Sequence, residues 1–116
     1  MAVDKSLQTG STSMLLLKLL EDEDLYGYQM IERLQMRSNN VFALKAGTLY
    51  PLLHNLEEQG LVQSYEQTAE TGRKRKYYSL TKAGRKMLAA KEQEWNSFAG
   101  AVNQVLQGGG GLATIQ

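Results

Sequence analysis

A leucine-striped helical segment ending at Gly60, two strand-like runs directly after it, and a turn between them carrying Arg73-Lys74-Arg75-Lys76 predict a mainly α chain with a two-stranded β-wing. That outline is a winged helix-turn-helix, and a further helical stretch after the second strand adds a C-terminal dimerisation helix. At 116 residues, with 42% hydrophobic composition, the chain can bury one modest core but not two independent ones. The expected organisation is a winged unit over residues 10–80, the last helix over 81–106 and a flexible tail over 107–116.

Taken in order, Ser11-Thr12-Ser13 offers hydroxyl caps to a short apolar helix over roughly Ser13 to Glu21. The acidic run Glu21-Asp22-Glu23-Asp24 then reads as a solvated helix end. Residues Tyr26 to Met36 form the second helix, with Met30, Ile31 and Leu34 at helical spacing and Gly27 allowing a close approach at its start. Ser38-Asn39-Asn40 is turn chemistry. In the third helix Leu49, Leu52, Leu53 and Leu56 fall at i, i+3, i+4 and i+7, a buried stripe. Pro51 is tolerated only near a first turn, so this helix should start near Ala46 or Gly47, and Gly60 ends it. The run from Leu61 is the first strand of the wing, and Arg75 to Thr81 the second.

Charge is segregated. The formal net charge is only +1, from 13 Lys and Arg against 12 Asp and Glu. Residues 71–91, however, hold eight of those cations (Arg73, Lys74, Arg75, Lys76, Lys82, Arg85, Lys86, Lys91) and no acid. Cations gathered on one protruding hairpin are what phosphate neutralisation requires, although an isolated basic run is often just a solvated turn. With the leucine stripe turned inward, Thr48, Tyr50, Pro51, His54 and Asn55 occupy the outward side of the third helix or its margins. Asn55 and His54 can bond to base edges, while Lys45 and Thr48 suit phosphates at the groove entry. Tyr50 is open between packing on the neighbouring helix and touching DNA, and His54 between a DNA contact and an ordinary solvated histidine. The expected DNA-binding set is Lys45, Thr48, Tyr50, His54, Asn55, Arg73, Lys74, Arg75 and Lys76, and the partner double-stranded DNA.

Thr81 can cap the last helix. Its seam of Leu88, Trp95 and Val102 at seven-residue spacing, joined by Phe98, Val105 and Leu106, is too apolar for a lone solvated helix. The seam either folds back on its own domain or meets the same helix of a second subunit, and the compact unit before it makes a homodimer the simpler reading. The tail Gly108 to Gly111 cannot hold a helix.

The segments Leu15 to Leu20, Leu25-Tyr26-Gly27-Tyr28-Gln29-Met30, Gly47 to Glu57, Gly60-Leu61-Val62 and Arg75 to Gly84 resemble the PadR family of bacterial transcriptional regulators. The resemblance covers about residues 10–106, and five such segments in order make it specific. It implies a winged helix-turn-helix that represses transcription as a homodimer, and the single last helix is similar to that of the smaller members; two recognition helices related by such a dimer would read a near-palindromic operator. It further implies that Trp95, with Phe98 beside it, forms half of a site where a small planar aromatic effector stacks and releases DNA. The alternative for this pair is a filled hydrophobic interface, since a large aromatic at helical spacing is commonly core.

Other classes are constrained by what the chain lacks. There is no cysteine and a single histidine, which removes disulfides and thiolate or His-rich metal sites. The acidic run has no metal-loop spacing, and no set of nucleophile and base accompanies it, so no catalytic residues and no cofactor are expected. The longest apolar stretch, Met14 to Leu20, is broken by Lys18 and is far short of the roughly 20 residues of a membrane span. A soluble, cytoplasmic, bacterial protein, on the nucleoid when bound to DNA, is the expectation. The rival reading, a winged-helix module binding protein within a larger assembly, gives no reason for Arg73 to Lys76.

Overall fold

The computed structural model describes residues 5–108, residues 5–10 by their backbone. The elements are α1 (Lys5–Asp22), β1 (Leu25–Tyr26), α2 (Gly27–Arg37), α3 (Ala46–Glu58), β2 (Val62–Thr68), β3 (Lys74–Leu80) and α4 (Lys82–Leu106). The architecture is the mainly helical one expected, with a small antiparallel sheet as its wing. The sheet corrects the expectation in one respect: it has three strands in the order β1-β3-β2. Leu25 and Tyr26 pair with Tyr78 and Tyr77 of β3, a contact too short and too distant in sequence to leave a periodic signal.

The start of α1 is a second correction. The helix already runs from Lys5, so Ser11, Thr12 and Ser13 lie inside it and do not cap it. Ser11 and Thr12 are buried there with the leucines that follow. Packing of an apolar face stabilises a helix more than the local preference of hydroxyl residues for caps opposes it. The core gathers Leu16, Leu17, Leu19 and Leu20 of α1, Met30 and Leu34 of α2, Leu49, Leu53 and Leu56 of α3, Leu61 and Val62, Tyr78 and Leu80 of β3, and Leu88 of α4. Leu52, the fourth member of the expected α3 stripe, is half-buried at its edge.

The turn after α2 follows the sequence chemistry, with Asn39 and Asn40 both at positive φ. The end of α3 is set by Gly60 at φ +75. The Gly60 N–H donates to the Glu57 carbonyl and the Leu61 N–H to the Leu56 carbonyl, each at 3.0 Å, while Leu56 and Leu61 both enter the core. This pair of bonds is the Schellman arrangement, which satisfies the last carbonyls and turns the chain straight into β2. The next junction is as close. The Thr81 hydroxyl accepts from the Gly84 N–H at 2.9 Å, capping α4, and donates to the Gly60 and Leu61 carbonyls at 2.7 and 3.0 Å. A Cβ on Gly84 would collide with the Leu61 carbonyl oxygen, so α4 starts pressed against the α3–β2 turn.

From there α4 leaves the body. The molecule measures 67 × 31 × 21 Å, and its radius of gyration is 17.3 Å against about 13 Å for a compact domain of this length. The first turns of α4 pack on α1, with Lys18 bridging Glu21 at 2.8 Å and Glu92 at 3.5 Å. Beyond Glu92 the helix is almost wholly exposed. Residues 109–116, most of the expected flexible tail, lie outside the described residues. Among the described residues no helix is long and apolar enough to cross a membrane, and no cluster of three or more His, Asp or Glu could hold a metal ion.

Candidate nucleic-acid interface

The α3 face is built by the buried triad Leu49, Leu53 and Leu56, which turns Thr48, Tyr50, Pro51, His54 and Asn55 outward, all exposed. Lys45 is the N-cap with extended backbone, makes no side-chain capping bond and is exposed, its cation available to a phosphate. No acid lies between Lys45 and Asn55. His54 Nε2 is 3.5 Å from Glu58, and Asn55 Oδ1 accepts from Gln59 Nε2 at 2.9 Å. Both partners are exposed and sit one turn on, contacts that water or a base edge can replace. Tyr50 does the packing its sequence position left open. Its hydroxyl end lies over Gly27 at the start of α2, where any Cβ would collide with it, yet the residue remains 47% exposed.

The wing departs from the expected cluster of four cations at the tip. The tip is Ala69 to Arg73, closed by the Ala69 N–H to the Arg73 carbonyl at 2.8 Å and shaped by Gly72 at φ +86. Of the four cations only Arg73 lies in it. Lys74, Arg75 and Lys76 belong to β3 and pair with Thr68, Gln67 and Glu66 of β2, so their side chains alternate between the two faces. Ser64 fixes which face is which. Its hydroxyl donates to Glu57 of α3 at 2.7 Å, so the even-numbered residues of β2, and with them Lys74, Lys76 and Tyr78 opposite, face the α3 side. Lys76 Nζ is 5.6 Å from the centroid of the Tyr78 ring. Burial holds the Tyr78 phenol above its ordinary value, with Lys76 opposing.

Arg75 points to the other face. Its guanidinium carbon lies 4.4 Å from the centroid of the Tyr26 ring. Tyr26 meets Tyr77 edge to face at 5.4 Å, and Tyr77 stacks on Tyr65 at 5.7 Å. The Tyr65 hydroxyl donates to Asp24 at 2.7 Å, which raises the Tyr65 pKa. None of Asp24, Tyr26, Tyr65 and Tyr77 is legible as a site from composition. The one available signal is that Tyr65 and Tyr77 stand equally far from Thr71, which a hairpin centred there would pair. The acidic run is accordingly more than a solvated helix end: Glu23 pairs with Arg33, Asp22 approaches Arg37 and Glu21 pairs with Lys18.

On α4 the expected seam divides. Leu88 is 1% exposed in the core of its own chain, which corrects its assignment to a subunit interface, because the first turns of α4 pack on α1. Trp95 and Phe98, 44% and 59% exposed, lie with ring centroids 6.1 Å apart. Phe98, Val102, Val105 and Leu106 line a shallow apolar hollow of about 300 Å³ together with Ala101. The protruding half of α4 does not fold back on its domain.

Comparison with known proteins agrees with this geometry. The profile of the transcriptional regulator PadR-like family matches residues 16–90. The chain is similar to the transcriptional regulator Rv3488 of Mycobacterium tuberculosis, at 34% identity over 84 residues, covering 72% of this chain and 75% of that protein. Among solved structures it is similar to a PadR family transcriptional regulator from Eggerthella lenta, at 33% identity and TM-score 0.78, covering 89% of this chain and 88% of the other. A PadR family transcription regulator from Clostridium difficile is similar at 37% identity and TM-score 0.72, covering 84% of this chain and 99% of that one.

Proposed function

The chain belongs to the PadR-like family of transcriptional regulators, and from that membership we propose how its own residues act. Regulators of this family bind DNA, are typically dimeric and are not enzymes. In our reading this chain is a cytoplasmic repressor that binds a near-palindromic operator as a homodimer. The exposed side of α3 enters the major groove, Asn55 and His54 toward base edges and Lys45, Thr48 and Tyr50 toward the backbone, while Arg73 at the wing tip and Lys74 and Lys76 on its α3 side neutralise phosphates. The observation that carries this is the outward face of α3, free of acids from Lys45 to Asn55, continued in the chain by a wing with cations on its α3 side.

Dimerisation is assigned to the protruding half of α4. Trp95, Phe98, Val102, Val105 and Leu106 form an uncovered apolar strip on a helix joined to the body only at its base, and a second copy of the strip is its simplest cover. Two α3 helices would then reach half-sites roughly 34 to 36 Å apart, one DNA turn. A planar aromatic effector inserted between the two Trp95–Phe98 pairs would act by favouring one spacing of the wings over another, which requires unequal affinity for the two arrangements. Val102→Asp tests the assembly. Sedimentation should find monomers, and those monomers should lose affinity for a palindromic operator far more than for a single half-site. A Val102→Asp dimer with full operator affinity would overturn it.

A further inference from the structure

On the outer face of the sheet, away from α3, Asp24, Tyr26, Tyr65, Tyr77 and Arg75 form one connected set of contacts. We propose that this set is a clasp that fixes the angle of the wing relative to α3, with Arg75 acting as a positioning residue of the wing and not as a phosphate ligand. The proposal rests on the reading of the wing as a phosphate-binding element.

Two observations carry it. The first is the register. Ser64 and its bond to Glu57 place the even-numbered wing residues on the side of α3, so Lys74 and Lys76 lie on the side from which α3 would enter a groove, and Arg75 on the opposite one. A cation on that far side is badly placed to neutralise the same duplex. The second is what Arg75 does there. Its guanidinium lies 4.4 Å from the Tyr26 ring centroid, and Tyr26 is both the edge strand β1 and the N-cap of α2. Tyr65, on the other wing strand, is tied by its hydroxyl to Asp24 at 2.7 Å, and the stacked Tyr65–Tyr77 pair joins the two anchors. A two-stranded hairpin of seven-residue strands is held only at its base by the ladder to β1, because β1 is two residues long. The phenol–carboxylate contact of Tyr65, on the last rung paired to β1, and the cation–π contact of Arg75, two residues beyond that rung, restrict its bending where backbone hydrogen bonds to the body run out. The clasp is also linked to the base of α4. Asp24 follows α1 by two residues, and the Glu21 carbonyl at the end of α1 accepts a long 3.5 Å bond from Arg85 of α4.

The test uses the full chain and a mixed-sequence DNA duplex, with affinity followed against salt. Because the chain has no cysteine, Thr71→Cys provides a single site for a nitroxide label whose mobility reports the wing tip. Lys74→Gln should lower the slope of log affinity against log salt by about 0.9 and leave the label mobility unchanged. Arg75→Gln should do the reverse: the slope is kept, the label becomes more mobile, and affinity falls roughly two- to tenfold at every salt concentration. Tyr65→Phe and Asp24→Ala should mobilise the label in the same way, the double variant no more than either alone, whereas Asp24→Asn, which keeps an acceptor oxygen, should restore the parent mobility. If Arg75→Gln lowers the slope as Lys74→Gln does, Arg75 is a phosphate ligand and the clasp is wrong. If the label is no more mobile in Arg75→Gln and Tyr65→Phe than in the parent, the contacts do not position the wing. If Lys74→Gln leaves the slope unchanged, the phosphate-binding wing falls and the clasp falls with it, a result distinct from the other two.

Discussion

Gly84 illustrates how one position can be fixed by its neighbours. Its missing side chain lets the first turn of α4 lie on the Leu61 carbonyl, while its N–H completes the Thr81 cap. Gly84→Ala should therefore destabilise the fold by about 1–3 kcal/mol, the cost of forcing atoms into a filled space, in contrast to Gly47→Ala, where nothing lies nearby. Denaturant melts of the two variants would show the contrast. On the outward side of α3, Asn55→Ala and His54→Ala should each cost about 1–3 kcal/mol on a cognate operator and much less on random DNA. Equal losses on both would mean that these residues only hold the protein in place. Tyr65 gives a pH signature. Its hydrogen bond to Asp24 raises the phenol above 10.0, so the bond's contribution is fully present below that ordinary value and is lost as pH rises through the raised one. In an ultraviolet titration Asp24→Ala should bring Tyr65 ionisation to lower pH and leave Tyr78, which burial holds up, where it is.

At the scale of elements, α3 was legible because its leucine stripe, Gly60 and the flanking strand signals all agreed. The structure keeps that stripe but grades it, with Leu49, Leu53 and Leu56 in the core and Leu52 at its edge. Leu53→Ala should cost about 2–5 kcal/mol in unfolding free energy and Leu52→Ala distinctly less, since the cavity term requires full burial. The wing was legible as a hairpin, but the sharing of its cations between two faces was not. Pleat alternation separates Arg75 from Lys74 and Lys76 only after the register with β2 is known, and the register follows from a five-residue turn that sequence bounds only loosely. Local sequence points to a first helix shorter than the one that forms, because Ser11 to Ser13 favour caps locally while the burial of Ser11 and Thr12 is decided elsewhere in the molecule.

For the whole molecule, the α4 that leaves the body carries on one surface both the proposed assembly strip and the proposed effector site. If the Trp95–Phe98 pair forms half of an effector site, planar aromatic compounds should quench the fluorescence of this single tryptophan saturably, and Trp95→Ala should abolish that binding while leaving a dimer in sedimentation. Absence of quenching, or dissociation by Trp95→Ala, would make the pair plain interface core. The sequence by itself determined the class of fold, the order of its main elements, the outward side of α3 and the apolar character of α4, because each is a local pattern: a period, a cap, a turn residue or a run of charge. Only the tertiary structure decided the third strand, the withdrawal of Leu88 into its own core, and the separation of Arg75 from the other wing cations. Those depend on which distant segment a side chain meets, as when Tyr26 pairs with Tyr77 across some fifty residues, and no local pattern carries that information.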